Sequence, residues 1–359
     1  YWLMGRCKTR APRYLSAATI ERAEPEINTS KAAGGLEYSD CYLYDTDARF
    51  VFGFIRQSLN YGCIAANYVS SQQAHFDGQQ WTTTARDEVT GEDFTIRSRV
   101  VINACGPWVD QRNRETGIVT SHRHLFSKGV HLIVDQITDN RRVLTFFASD
   151  GRLFFLIPMG PKTCIGTTDT QVEAPEVEVT EEDREFVLSN VNVLLDLDKP
   201  LTPADIIAER VGVRPLAIRG HSGEADWVAL SRKHVIEADE AGRHLSIFGG
   251  KLTDCLNVGD EVAQWVQRLG VEVPAPRNKW YGEPGVDLRD EFRLQARLMD
   301  LDKLTHPSSS EPLSERFWRR YGESAFGLLE RIREDERCAD LLIENAEYTR
   351  CEIELAARR

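Results

Sequence analysis

The side chain best able to take a proton near neutral pH is His131, in the stretch "SKGVHLIVD". A single histidine in a strand-like run also reads as a satisfied core residue, so its neighbours decide its role. Arg214, in "GVRPL", stands in a run without other charge. A guanidinium there needs a partner: either a phosphate or carboxylate ligand held by two parallel hydrogen bonds, or a structural ion pair. Lys128 and Arg232 are further candidate cations, each equally readable as a solvated surface charge. Thr168 and Asp169, in "IGTTDT", offer hydrogen bonds to a polyol or a phosphate, although such residues at a strand end also bond the turn backbone.

Two strand ends carry glycines where chemistry would need bare backbone. In "VVINACGPWVD" a β-branched run meets Gly106-Pro107-Trp108 and stops. Either the tryptophan covers core, or this end delivers backbone to the face of a bound cofactor. In "LSIFGGKLTD" a strand runs into Gly249-Gly250, and a helix is predicted to start near Lys251. Glycines permit close approach there, and the first helical N–H groups face outward with partial positive charge, which suits an anion or an electron-rich ring edge. A plain strand–turn–helix has the same pattern.

The elements that must position these residues follow from periodicity. "DTDARFVFGFIRQSLNYG" predicts a helix capped by Asp45 or Thr46, with Val51, Phe54, Ile55 and Leu59 on one stripe and Gly62 as terminator. A strand is predicted at residues 63–70. Two more, joined by a turn at Thr90-Gly91, follow, the second running into "VVINACGPWVD". Residues 121–169 read mostly as strand, and the unbroken apolar run Phe154–Ile157 implies a strand covered on both faces. Thr180 and Asp183 form a capping box ahead of a helix bearing Val187, Val191, Leu194 and Leu195. After a Pro-rich link, "VEVPAPRNKWYGEPG", the chain becomes helical, with Trp318, Tyr321, Ala325, Leu328, Leu329 and Ile332 on one packing stripe.

Bulk properties narrow the class. At 359 residues the chain accommodates more than one domain, and a net charge of −12 disfavours general nucleic-acid binding. Its 8 cysteines include no Cys-x-x-Cys pair, which argues against a zinc site or a disulfide framework and suits a reducing cytosol. No apolar run approaches membrane-spanning length. The chain opens at Tyr1, and its last residues, "EIELAARR", fall inside a helical pattern, as expected of a piece of a longer protein.

Seven motifs in order, "GLEYSDCYLYDTDARFV", "VVINACGPWVD", "KGVHLIVD", "LIPMGPKTCIGTTDT", "GVRPL", "SRKHVIEAD" and "FGGKLTD", resemble the FAD-dependent glycerol-3-phosphate dehydrogenase family over about residues 35–355. The resemblance implies an α/β (α+β) flavoprotein fold of the D-amino-acid-oxidase type. Its parts would be the remainder of an FAD-binding domain at 1–115, a β-rich substrate cap at 116–230, a return to the FAD domain at 231–270 and a helical C-terminal domain at 271–359. It implies FAD as cofactor, glycerol 3-phosphate as substrate and dihydroxyacetone phosphate as product. It further implies a quinone as acceptor, peripheral contact with the inner face of the membrane from the cytoplasm, and a homodimer. Val69, Asn103, Ala104, Gly106, Pro107 and Trp108 would lie beside the flavin, with Gly249, Gly250, Lys251, Leu252 and Thr253 closing on it. His131 and Arg214 would act on the reacting hydroxyl, and Lys128, Thr168, Asp169, Arg214, Arg232 and Lys251 would bind substrate.

Two departures stand out. No Gly-x-Gly occurs, so the fingerprint that cradles the FAD pyrophosphate is missing. Family members also read Thr-Tyr-Arg after Gly-Gly-Lys-Leu-Thr, whereas Asp254, Cys255 and Leu256 follow here. Competing readings are an oxidase passing electrons to oxygen, a related flavoenzyme acting on an amino or hydroxy acid, and a non-catalytic fragment without FAD.

Overall fold

The computed structural model describes residues 2–3, 6–30, 32–40, 43, 46–220, 233–274, 284–307, 309, 311–343 and 347–357. The chain divides into two units, 1–41 with 66–276 and 42–65 with 277–359.

The first unit opens with β1 (Arg13–Ser16), α1 (Ala17–Ala23) and β2 (Gly34–Glu37), the two strands pairing antiparallel. The next helix, α2 (Thr46–Asn60), groups with the second unit, although sequence reading assigns it to the flavin-binding portion. Strands β3 (Val69–Phe76), β4 (Trp81–Asp87) and β5 (Asp93–Ser98) form an antiparallel sheet, with Gly91 in the left-handed region at the β4–β5 turn. The strand predicted at 63–70 begins only at Val69. Residues 93–103, expected as one strand, divide at Arg99: β5 stays with β4, and β6 (Val101–Asn103) joins a different sheet. A 3-10 turn at Gly106–Trp108 then leads into α3 (Val109–Thr116).

The central six-stranded sheet is organised by β7 (His122–Asp135), which is long enough to take several partners. On it assemble β8 (Leu144–Phe147), β9 (Leu153–Met159), β10 (Lys162–Gly166) and β11 (Thr170–Val172), in the order β11-β7-β10-β9-β8. Helix α4 (Glu181–Leu194) carries the expected capping box: the Thr180 hydroxyl accepts the Asp183 amide, and Asp183 accepts the Thr180 amide. Strand β12 (Ala208–Arg219) then pairs antiparallel with β7 along its whole length.

Side chains alternate across β7 with period 2. Val130, Leu132 and Val134 therefore face one way and bury against Val187, Leu188 and Val191 of α4, while Ser127, Gly129 and His131 face the other way. Phe154 and Leu156 of β9 join the same core at 0% and 1% exposure, but Phe155 and Ile157 are only half-buried, so the two faces of that strand are covered unequally. Strands β13 (Val235–Asp239) and β14 (His244–Phe248) complete the unit with α5 (Cys255–Arg268). In that sheet β14 lies between antiparallel β13 and parallel β6.

The second unit comprises α2, α6 (Val286–Leu298), α7 (Leu313–Tyr321), α8 (Ala325–Glu334), the short pair β15 (Leu341–Ile343) and β16 (Tyr348–Thr349), and α9 (Arg350–Ala357). Its core gathers Phe292, Leu313, Phe317, Trp318, Leu328, Leu329 and Ile332. The predicted tail stripe is buried except at Tyr321, which is partly exposed, and Gly322 at φ +51° divides it into two helices. In α2, Val51 and Ile55 of the predicted stripe are exposed. Among the described residues no helix is long and apolar enough to cross a membrane.

Candidate active site

The two glycine-bearing strand ends are neighbours. Strands β6 and β14 run parallel, with Asn103 opposite Ser246, so Gly106 and Gly249 each follow the last paired residue by three positions at the same edge of the sheet. Carboxyl ends of adjacent parallel strands form the crevice in which α/β proteins take ligands. A side-chain bridge ties them: the Gly249 amide donates to Nε2 of His124 at 3.2 Å, and Nδ1 of His124 stands 3.1 Å from the Asp110 carboxylate on α3. Burial pushes the Asp110 carboxyl up, but hydrogen bonds from His124 more than offset this and hold it below its usual range. Neither His124 nor Asp110 is evident from motif reading, because the link crosses three elements.

Around this edge the backbone is accessible. Ala104 and Cys105 are exposed, Gly106 adopts φ +56° with open space where a Cβ would stand, and Gly250 is exposed at φ +94°. Trp108 does not cover core: it is 46% exposed, and its Nε1 donates to Glu176 at 2.8 Å. Asn103, 2% exposed, is structural, its amide donating to the Val109 carbonyl and to Asn113. The helix expected at Lys251 starts as a 3-10 turn over Leu252, Thr253 and Asp254, with exposed Lys251 at its cap and α5 beginning at Cys255. Asp254, one of the departures from the family motif, accepts from Asn257 and is bridged by His234 (2.6 Å), which also reaches Glu261 (3.0 Å). Burial lowers the His234 pKa, yet the two acids raise it above its ordinary value. Val69 opens β3, in a different sheet from either glycine end.

Strands β7 and β12 run next to this edge, and one face of the pair carries further candidates. Strand β12 packs against the Gly106–Trp108 turn, and Ala217 comes within 3.3 Å of the point a Gly249 Cβ would occupy. Arg214 lies three extended residues further along, roughly 10 Å away. Its guanidinium covers Gly129, where an added Cβ would meet it at 2.7 Å; it donates to the Thr167 hydroxyl at 3.3 Å and stands 3.8 Å from Asp169. Asp169 also accepts the Ser127 hydroxyl. His131, two residues beyond Gly129 on the same face, packs under Gly166. Burial first, then the charges of Arg214 and Arg210, push its pKa down to about 4, so the imidazole is neutral at pH 7 and able to accept a proton.

Two candidates fall outside this face. Lys128 points to the α4 side, 6% exposed, with Nζ 2.5 Å from Asp183. Burial would raise Asp183, but hydrogen bonds from Lys128 and Thr180 keep it below the usual carboxylate range. Lys128 is thus a structural cation, as its even position on β7 dictates. Lys128→Met should cost about 3 kcal/mol in urea unfolding by leaving Asp183 buried without its cation; unchanged stability with weakened phosphate binding would reverse the assignment. Thr168 is 2% exposed, and its hydroxyl accepts the Val130 amide at 2.9 Å; its neighbour Thr167 is the one that meets Arg214. Arg232 lies outside the described residues.

His244, like His131, is pushed down to about 4, chiefly by burial. Both have an ordinary value of 6.5 once unfolded, so between those limits the unfolded chain binds more protons than the folded one. Stability from these groups is full above pH 6.5 and falls as the pH drops towards 4. Urea midpoints should therefore decline from pH 7 to pH 5; a flat profile would contradict this protonation scheme.

Residues 3–252 match the family described as FAD dependent oxidoreductase, and the chain belongs to that family. It is 30% identical over 273 residues to the aerobic glycerol-3-phosphate dehydrogenase of Bacillus subtilis, covering 74% of this chain and 47% of that protein. Among solved structures it is similar to a glycerol-3-phosphate dehydrogenase from Bacillus halodurans complexed with FAD, with a TM-score of 0.68, 27% identity and coverage of 91% of this chain and 65% of the other. Glycine oxidase from Geobacillus kaustophilus shares the fold at a TM-score of 0.52 and 18% identity, over 76% and 67% of the two chains. The chain spans about half the length of the curated relatives it matches. The D-amino-acid-oxidase type of flavoprotein fold expected from the motifs is therefore the fold observed. The open, glycine-bearing edge at Gly106 and Gly250 fits the flat ring of FAD; the pyrophosphate-binding fingerprint has no counterpart in these 359 residues.

Proposed function

We propose that this chain carries the flavin-ring edge and the substrate face of an enzyme that oxidises sn-glycerol 3-phosphate to dihydroxyacetone phosphate and passes the electrons to a quinone. FAD, when bound, supplies the hydride acceptor. Gly106, Pro107 and Trp108 from one strand end, and Gly249 to Thr253 from the other, would hold its ring, with Lys251 and the adjacent N–H groups adding positive potential. His131 accepts the proton of the C2 hydroxyl, which its neutral state permits. Arg214, placed by Thr167 and Asp169, neutralises the phosphoester or the oxygen losing its proton.

The observation that carries this reading is the parallel register of β6 and β14, whose ends open beside the strand bearing Arg214. The relatives named as aerobic glycerol-3-phosphate dehydrogenases support the choice of substrate. The test is anaerobic mixing of the full-length flavoprotein with glycerol 3-phosphate. Loss of the oxidised-flavin absorbance is expected, whereas glycerol, lactate and glycine should leave it unchanged. A flavin reduced by glycine or lactate instead would move the enzyme to the amino- or hydroxy-acid class. Reoxidation by a soluble quinone, faster than by oxygen, separates dehydrogenase from oxidase.

A further inference from the structure

Three alternate positions of β12, Arg210, Gly212 and Arg214, share the face that bears His131. Arg210 is the direct strand partner of His131, Gly212 of Gly129, and Arg214 of Ser127. The middle row is thus two glycines, and a Cβ added at Gly212 would meet nothing within 4 Å. The Arg214 guanidinium lies over the Gly129 half of that row, and the Gly212 half is left free of side chains between two arginines whose Cα atoms are roughly 13 Å apart along the strand. Arg210 is exposed, and among the described residues it makes no side-chain hydrogen bond or ion pair. Glu209, its neighbour, turns to the opposite face and pairs with Arg184.

We infer that the space over Gly212 is an oxyanion subsite closed by Arg210 on one side and Arg214 on the other, and that Arg210 is a specificity residue for a doubly charged phosphoester. Two guanidinia flanking one gap favour a dianion over a monoanion, because the second charge has its own partner. Glycine at 212 is what leaves room for the anion, and glycine at 129 lets Arg214 lie flat beside it. An anion seated there also screens both cations from His131, so its binding makes the imidazole a stronger base where one is required. The other groups on this face near His131 are Cys164 of β10 and Asp169 after it. The identity of the ligand as a phosphoester rests on the function proposed above; the subsite itself does not.

The experiment titrates inorganic phosphate into the full-length flavoprotein and follows the His131 imidazole by NMR, assigned with His131→Asn. Phosphate should raise the His131 pKa in the parent chain. Arg210→Gln should weaken phosphate binding roughly tenfold, with Arg210→Lys intermediate, and Gly212→Val should abolish the response while keeping the parent's circular dichroism and thermal midpoint. Absence of any phosphate response in the parent, or parent-like binding in both Arg210→Gln and Gly212→Val, overturns the subsite. An Arg210-dependent response to acetate that phosphate fails to match would keep the subsite and overturn the phosphoester reading instead.

Discussion

Arg214→Gln lowers kcat/KM for glycerol 3-phosphate by about a hundredfold in the full-length flavoprotein. The substitution removes the cation, and with it the bond to Thr167, while leaving a shorter, neutral polar side chain in its place. A hydrogen bond between charged groups contributes about 1.5–3 kcal/mol, and about 3 kcal/mol corresponds to that factor. Arg214→Lys recovers little, since an ammonium does not reproduce the planar fork that holds an oxyanion by two parallel bonds. A second readout comes from His131: removing the nearby positive charge of Arg214 moves the imidazole pKa upward from about 4, towards its ordinary value. An unchanged kcat/KM would show that Arg214 serves only as the structural partner of Asp169.

The second large effect separates three glycines, one each on β7, β10 and β12. At Gly166, φ is +152° and a Cβ would meet the Val130 carbonyl oxygen at 2.7 Å and the His131 ring at 2.9 Å. The carbonyl belongs to β7 and cannot retreat without opening the β7–β10 pairing, so Gly166→Ala should cost about 3 kcal/mol and displace the imidazole. At Gly129 the obstructing atoms, 2.7–2.9 Å away, are the far end of the Arg214 side chain. Gly129→Ala should therefore fold with nearly parental stability and lose activity because Arg214 is turned out of place. At Gly212 nothing stands within 4 Å, and Gly212→Ala should leave stability unchanged. Urea unfolding and steady-state kinetics on the three variants check the order. Equal stability of Gly166→Ala and Gly212→Ala would refute the packing argument.

Much of the fold is legible because local chemistry and tertiary need agree. The Thr180–Asp183 capping box, the apolar repeat of α4 and the strand character of β7 are written in spacing and side-chain type, and packing reinforces each of them. Where two tertiary environments meet within one run, pattern reading fails. Residues 93–103 are uniformly strand-like, yet β5 and β6 belong to different sheets. Local propensity measures extension, not the partner. Lys128 shows the same limit at the site: its charge suggests a ligand, whereas the register of β7 turns it into Asp183.

The order of motifs, the glycines after two strand runs and the isolated histidine and arginine were determined by sequence alone, because each depends on residue type and short spacing. Tertiary structure decided which of them meet. Parallel pairing of Asn103 with Ser246 brings two turns separated by more than 100 residues to one edge, and the β7–β12 register sets Arg210 and Arg214 on the face of His131 while sending Lys128 to the other. Side-chain alternation of period 2 is the physical reason: shifting either strand by one residue would exchange the two faces, and only the assembled sheet and its buried core select the register.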